Sequence, residues 1–421
     1  MRSDPPRDTS NRSVKRLPLA HSRNPSKGDG QLPPPSERIP VLRWLRENLF
    51  NSLFNAILTV LATTLIGGIL FGLLRWAVTE AHWAVIPANL KLLLVGTYPV
   101  DQLWRVWSVL YLLGTLVGVS AGRRRGLIRQ IAWAASGAAI VLALLPFSLA
   151  TRGWILACAA AIGIGFGLGK LGDARRWVRR TEGALWLLSF PVSLIVLNGV
   201  GGPLPVIGGR SQWGFLLNLL GAAVGIGLSL PLGVLLALGR RSRLPAIRWI
   251  CTGYIELIRG VPLISLLFMA SIMLQLLLPD SIRPDLVIRA MLTITAFSAA
   301  YMAENVRGGL QSIPKGQYEA AHAVGLGGML TMLLIVLPQA LRAVIPAIVG
   351  QFISLFKDTT LFAYIAILEL LNISRSVLGN REWRGTIFEL YAFIGLLFWV
   401  LCYAMATVSR RLEKQLGVGE R

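Results

Sequence analysis

The residues of this chain best suited to chemistry are few, and two of them are opposite charges set side by side in an apolar run. Lys357 and Asp358 stand in LFKDTTL, near the middle of a hydrophobic stretch from 345 to 371. An uncompensated charge at the centre of a membrane span costs about 2.5–3.5 kcal/mol on insertion scales, so each needs a partner or water. Adjacent helical residues point about 100° apart, and the pair cannot neutralise itself within a regular helix. Either the helix breaks near Thr359 and Thr360, or each charge meets its own partner in a bundle. A polar patch made of Lys357, Asp358, Thr359 and Thr360 suits a path for a zwitterion, whose carboxylate and ammonium need opposite charges. The competing reading is a structural ion-pair network with neighbouring spans. Glu304 and Asn305, at the inner end of a span over 285–304, suit an inner gate or a cap. Arg289, one turn inside the same span, is expected to snorkel to the outer headgroups. Glu256 and Arg259 belong to a short amphipathic segment, expected at the membrane interface.

Catalysis by the chain itself finds no support in its residues. His21, His82 and His322 are isolated, and Cys158, Cys251 and Cys402 lack paired spacing, so neither a catalytic histidine cluster nor a metal site is expected. GIGFGLGKL at 163–171 looks like a phosphate loop, but Ile164 stands where the first Gly belongs and Leu171 where Ser or Thr is needed. Gly163 with Gly167, and Gly165 with Gly169, instead repeat the spacing that lets membrane helices approach closely.

The most specific pattern is EAAHAVGLGGMLTMLLIVLP: Glu319, Ala320 and Ala321, then Gly325, then Ile335, Leu337 and Pro338. Ser312 is placed as an N-cap and Pro314 in a first turn, which predicts a short helix to about Val324. Gly325 supplies a left-handed stop, and Pro338 limits a second helical stretch. Small side chains at 320, 321 and 323 would let a partner approach the first helix.

This segment resembles the EAA loop of the membrane subunits of ATP-binding-cassette importers, and all seven positions match. The resemblance implies coupling helices that dock on an ATPase, with Glu319, Ala320, Ala321 and Gly325 as the mechanical contact and Pro338 setting where the next span leaves. YIELIRGVPLI at 254–264, AYMAENVRGGLQSIPKGQYEAA at 300–321 and LFKDTTL at 355–361 look like the polar amino-acid branch, the histidine, glutamine, arginine and glutamate systems. It implies a type I importer working by alternating access, with two ATPase subunits, a second permease and an external binding protein. ATP and magnesium would sit on the partner ATPase, and this chain would hydrolyse nothing.

The elements that must hold these residues are membrane helices. The chain is 54% hydrophobic and 15% charged, with a mean hydropathy of +0.62, the composition of a polytopic membrane protein. A net charge of +22 would suggest nucleic acid in a soluble protein, but the basic residues fall in short loops and a polar tail, and membrane orientation accounts for them. Spans are expected near 53–76, 106–121, 131–149, 154–170, 185–200, 214–238, 261–279, 285–304, 345–371 and 388–408. With both termini inside, the inner loops collect Arg123, Arg124 and Arg125; Arg175, Arg176, Arg179 and Arg180; Arg240, Arg241 and Arg243; and Arg410 with Arg411. The loops 77–105, 201–213, 280–284 and 372–387 are less basic. Ten spans satisfy the positive-inside rule and put the EAA segment in the cytoplasm.

The expected organisation is a disordered cytoplasmic tail over 1–47, an extension of about five spans over 48–210, a five-helix importer core over 211–415 and a cytoplasmic end over 416–421. The tail is read as cytoplasmic and not as a signal peptide, because the first apolar run begins near Leu53 and is long enough to span. An all-α multi-pass subunit of the cytoplasmic (inner) membrane follows, surrounded by lipid and free of nucleic acid. The alternative is an ion-coupled secondary transporter of a small polar solute with Lys357 and Asp358 in its coupling site.

Overall fold

The computed structural model describes residues 41–172, 176–202, 204–207, 213–279 and 284–417. Residues 1–40 of the expected tail lie outside the described residues, as does Arg175. Residues 41–47, assigned to that tail, are helical: α1 is Val41–Asn48. The described residues form helices and turns, with no β structure beyond two isolated bridges, Gly201 with Leu204 and Gly214 with Glu369.

The chain forms two units divided at Glu80. The first contains α1 and α2 (Leu53–Arg75), whose last turn widens into a π-turn over Trp76–Glu80. Ser52 caps α2, its hydroxyl accepting a bond from the amide of Asn55 at 3.2 Å. Its 23 residues include only one charge, Arg75, so α2 can cross a bilayer.

The second unit begins with α3 (Val85–Val95), α4 (Leu103–Arg123), α5 (Leu127–Ala143), α6 (Leu149–Gly172) and α7 (Arg176–Asn198). It continues through α8 (Phe215–Arg240), α9 (Pro245–Gly260), α10 (Leu263–Phe268), a π-turn over Met269–Met273, α11 (Leu274–Leu277) and α12 (Leu286–Gln311). Next come α13 (Lys315–Ala323), α14 (Gly328–Leu330), a π-turn over Thr331–Val336 and α15 (Leu337–Ala343). The unit closes with α16 (Ile345–Asp358), a 3₁₀ turn over Thr359–Ile365, α17 (Leu370–Leu378) and α18 (Ile387–Leu416).

Among the described residues, seven helices are long and apolar enough to cross a membrane, and nine do so if each of two bent pairs is one crossing. The first pair, Pro245–Gly260 with Leu263–Leu277, bends by 105°. The amphipathic segment bearing Glu256 and Arg259 is its first arm. The second pair, Gly328–Ala343 with Ile345–Ile365, bends by 63°, so the stretch expected as one span over 345–371 starts at 328 and ends at 365. Pro346, in the first turn of α16, removes the amide that would have joined the arms smoothly. The stretch expected at 131–149 is α5, 17 residues long, which rises only about 26 Å.

Helix α3 was not expected, since 77–105 read as an outer loop. It is 11 residues long, too short to span, and one face of it is buried: Val85 and Leu93 are inaccessible, while Pro87, Ala88 and Lys91 are exposed. These side chains join the same apolar cluster as Phe215, Leu217, Phe356 and Phe362. Tyr98 fastens the junction. Its hydroxyl donates to the carbonyl of Leu197 at 2.8 Å and its ring meets Trp213 edge-on at 5.7 Å. Burial pushes its phenol up to about 12, so it remains a donor at neutral pH. One core therefore runs across residue 211. A second, smaller core forms around Ala237, Ile255, Ala303, Val306, Leu310, Val336 and Ala340, at the end of the bundle that bears α13.

Helices α4 and α6 touch backbone to backbone. A methyl group added at Gly118 would strike the carbonyl of Ile162, and one at Gly165 the carbonyl of Thr115; Gly122 and Gly169 repeat the arrangement one turn on. Gly165 and Gly169 are thus the packing pair read from the sequence, whereas Gly163 and Gly167 face open space. Next to this contact the carboxylate of Glu182, buried on α7, accepts bonds from Ser120 at 2.8 Å and from Arg123, with Arg124 at 3.4 Å. Gly165→Leu should destabilise the purified protein by roughly 1–3 kcal/mol or more through overpacking, while Gly163→Leu should be nearly neutral. Thermal unfolding of the two variants in the same detergent checks this, and equal midpoints would contradict it.

Candidate functional site

The EAA segment is a helix, a corner and a second helix. Its first boundary differs from the sequence reading. Ser312 does not cap α13; it ends α12, its amide bonding the carbonyls of Gly308 and Gly309 at 3.2 Å and its hydroxyl donating to Gly309 at 2.9 Å. Proline disfavours a helical residue before it, so Ile313 leaves the helix and Pro314, extended at φ −59° and ψ 143°, opens α13. The far boundary is as read. Gly325 has φ +81°, its amide bonds the carbonyl of His322 at 2.9 Å, and the amide of Leu326 bonds that of Ala321 at 3.0 Å. This pair of reversed bonds closes a Schellman stop, which favours glycine because its φ lies in the left-handed region.

Helical geometry sorts the small residues. Ala321 is buried, with Tyr318 one turn before it turned toward the smaller core, while Glu319, Ala320 and Ala323 are exposed. Ala321 therefore does not offer its side chain to a partner, contrary to expectation. Val324 and Met329 extend the exposed face at 75% and 77% accessibility. Pro338 does not limit the second helix either: it lies inside the continuous arm Gly328–Ala343, directly after the π-turn. The π-turn has already interrupted the regular ladder of amides there, which makes room for a residue without one.

The region of Lys357 and Asp358 is organised from below by a buried polar cluster. The α-helix ends at Asp358 and the chain rewinds as a 3₁₀ turn from Thr359. Thr359 is inaccessible, its hydroxyl donating to Phe356 O at 2.7 Å and accepting from Asn218 Nδ2 at 3.1 Å. Asn218 Nδ2 also donates to Glu369 Oε2 at 3.0 Å, and its Oδ1 accepts from the amide of Leu370 at 3.2 Å. Glu369 caps α17, Oε1 accepting from the amide of Asn372 at 3.0 Å. Thr360 donates to the carbonyl of Lys357 at 2.8 Å. Lys357 is exposed and Asp358 half-buried, and among the described residues no ion pair reaches either one from another element.

Glu304 is the hub of a second polar group, near the small core. It pairs with Arg307 on its own helix, with Arg240 of α8 at 3.4 Å and with Arg259 of α9 at 3.7 Å, while Arg240 also holds Glu256 at 2.8 Å. Asn305 donates to the carbonyl of Ala347 on α16 at 3.5 Å. Arg289 does not snorkel. It is buried, reaching across to the carbonyls of Ala270 and Ser271 at 3.1 and 2.5 Å and to Gln275 Oε1 at 3.4 Å. The described residues contain no group of three His, Cys, Asp or Glu placed to hold a metal.

Residues 229–418 match the family model described as the inner membrane component of binding-protein-dependent transport systems. The glutamate/glutamine/aspartate/asparagine transport system permease protein BztC of Rhodobacter capsulatus is 37% identical over 420 residues, covering 91% of this chain and 95% of that protein. The chain belongs to this family of inner-membrane permeases. The inner membrane amino-acid ABC transporter permease protein YhdY of Escherichia coli K12 is 34% identical over 90% of the permease and 94% of its own length. The probable glutamine ABC transporter permease protein GlnP of Bacillus subtilis is 34% identical over 48% of the permease, yet 90% of its own length. The permease is a multi-pass protein of the inner membrane, and ATP hydrolysis belongs to a separate subunit. Family membership sets aside the ion-coupled alternative.

Sequence reasoning singled out neither Asn218 nor Glu369. Both are lone polar residues inside apolar runs, FLLNLLG and AILELL, and that isolation was the available signal. Arg240 was counted for its charge in a loop, and nothing local ties it to Glu304, 64 positions away.

Proposed function

We propose that this permease carries polar amino acids inward by alternating access, driven by two ATPase subunits that bind ATP and magnesium. It works beside a second permease and receives its substrate from an external binding protein. The observation that carries this reading is the closed corner after α13, which presents Glu319, Ala320, Ala323 and Val324 on one exposed surface of a family member. That surface is the coupling contact, and Gly325 fixes its angle. Closure of the ATPases moves α13, and the motion enters α12 directly because only Ser312, Ile313 and Pro314 separate the two helices. Glu304 and Asn305 form the inner gate: the Glu304 hub ties α8, α9 and α12 together, and Asn305 reaches α16.

Lys357, Asp358 and Thr360 line the path, whereas Thr359, expected beside them, is inaccessible and held by Phe356 and Asn218, and so supports the path from behind. Two charges without ion pairs from other elements, on a helix that changes winding between them and Thr359, leave groups available to a zwitterion. The named substrates of the relatives above, glutamate, glutamine, aspartate and asparagine for one and amino acids for another, support the same class. The permease crosses the membrane ten times, the seven long helices and two bent pairs being joined by α5, with both termini cytoplasmic. Residues 48–210 form an extension and 211–415 the importer core.

Gly325→Val should leave insertion intact while uptake and substrate-stimulated ATP hydrolysis fall together, because a β-branched residue resists positive φ. Normal uptake by a well-expressed variant would remove the coupling assignment. Asp358→Asn keeps the shape but loses the charge that meets an ammonium, so uptake per assembled complex in vesicles should drop well below wild type; an unchanged rate would end the path assignment. A single cysteine at the exposed position of Ala84, just before α3, should react with an impermeant thiol reagent from outside, whereas one at 124 should react only once the membrane is opened. Outside labelling at 124 would refute the ten-crossing arrangement.

A further inference from the structure

Arg289 is unexplained by the transport reading above. It is only 7% exposed, it lies one turn inside α12, and no carboxylate pairs with it among the described residues. A buried cation without a counter-charge persists only where strong acceptors surround it. Its acceptors are the carbonyls of Ala270 and Ser271 and the side chain of Gln275, all in or next to the π-turn over Met269–Met273. A π-turn breaks the regular ladder of helical bonds, and inside a bilayer no water repairs the break. The guanidinium supplies that repair from a neighbouring helix.

The position of this π-turn gives the repair a further consequence. It joins α10 to α11, and α10 packs against both α12 and the 3₁₀ turn Thr359–Ile365. Leu263 and Leu267 of α10 are buried in the cluster that holds Phe362 and Ile365. Widening one turn of a helix resets the rotation of everything before it, so the π-turn sets which face of α10 meets the 3₁₀ turn beside Lys357 and Asp358. Depth agrees. Gln351 bonds Ser298 at 3.5 Å, which fixes the register of α16 on α12. From that level Arg289 lies nine residues along one helix and Lys357 six along the other, about 13 Å and 9 Å toward the same end of the antiparallel pair.

We infer that Arg289 is a positioning residue of the translocation path: by holding the π-turn of Met269–Met273, it sets α10 against the 3₁₀ turn that carries Thr359. The inference rests on the path reading given above. It goes beyond that reading in assigning a buried arginine and a helical irregularity to transport.

The test is a cycle of Arg289→Met, deletion of Ala270, and both together, each measured in the assembled complex reconstituted into vesicles. Removing one partner strands the other, whereas removing both leaves neither unsatisfied. Each single change should therefore reduce assembly, and the double variant should regain it. Uptake per assembled complex should nevertheless stay about tenfold or more below wild type in the double variant, a loss comparable to that of bonds to a charged group. A double variant that transports at the wild-type rate per complex would reduce the arrangement to a structural repair and overturn the inference. If the single variants do not assemble, Arg289→Lys supplies the second measurement: hydrogen exchange over residues 263–277 should quicken while that over 345–358 does not, and unchanged exchange would equally overturn it. Asp358→Asn in the same vesicles separates the two assignments. Normal uptake there would displace the path itself, whereas impaired uptake there with a fully active Arg289 double variant would overturn only this inference.

Discussion

The side chain of Asn218 makes three hydrogen bonds, and all of them go to places where a helix stops or changes its winding. It holds the hydroxyl of Thr359, where α16 turns into a 3₁₀ coil, the carboxylate of Glu369, which caps α17, and the amide of Leu370, the first of that helix. In lipid, backbone groups that leave the regular ladder must be satisfied within the protein. The fold meets this requirement by sending polar side chains from continuous helices to the broken ones. Asn218 comes from α8 and Arg289 from α12, two of the long uninterrupted spans. The irregular segments they serve are α10 with its π-turn and the 3₁₀ turn after α16.

This division explains what could be read in advance. The stop at Gly325 was legible because it is local: a glycine after a short polar helix is enough to specify it. The charges at 357 and 358 stood out against an apolar background, and a helix break at Thr359 was one of two solutions that their adjacency allowed. Arg289 was misread because its depth in the span is visible in sequence, whereas the side of the helix that meets a neighbour is not. The bonding partners of Glu304 come from three elements, and no sequence spacing reports such a meeting. Helix α3 was missed for a different reason. Eleven mostly apolar residues, with a proline, an asparagine and a lysine among them, are too few to span, and burial of one face against Phe215 and its neighbours holds them as a helix.

Within the second unit, the helices before residue 211 are joined to the later helices at one level and have a helix-packing solution of their own at another. At the first, α3, Tyr98 and Leu197 share the core of the transport helices. At the second, α4 and α6 approach through four glycines and anchor the carboxylate of Glu182 beside them. Relatives that match over the full length and relatives that match over half of it both exist. The shared core is therefore compatible with family members that do without a counterpart of this length.

The Schellman stop after α13 has a consequence for the thermodynamics of docking. Its last carbonyls are already satisfied by the amides of Gly325 and Leu326, and Ala321 anchors the inner face. The corner is thus preorganised before any partner arrives. A flexible loop would lose conformational entropy on being gripped, and part of the binding free energy would be consumed in ordering it. A corner with fixed backbone angles has little entropy left to lose, so less of the free energy of any contact made there would be consumed in ordering it.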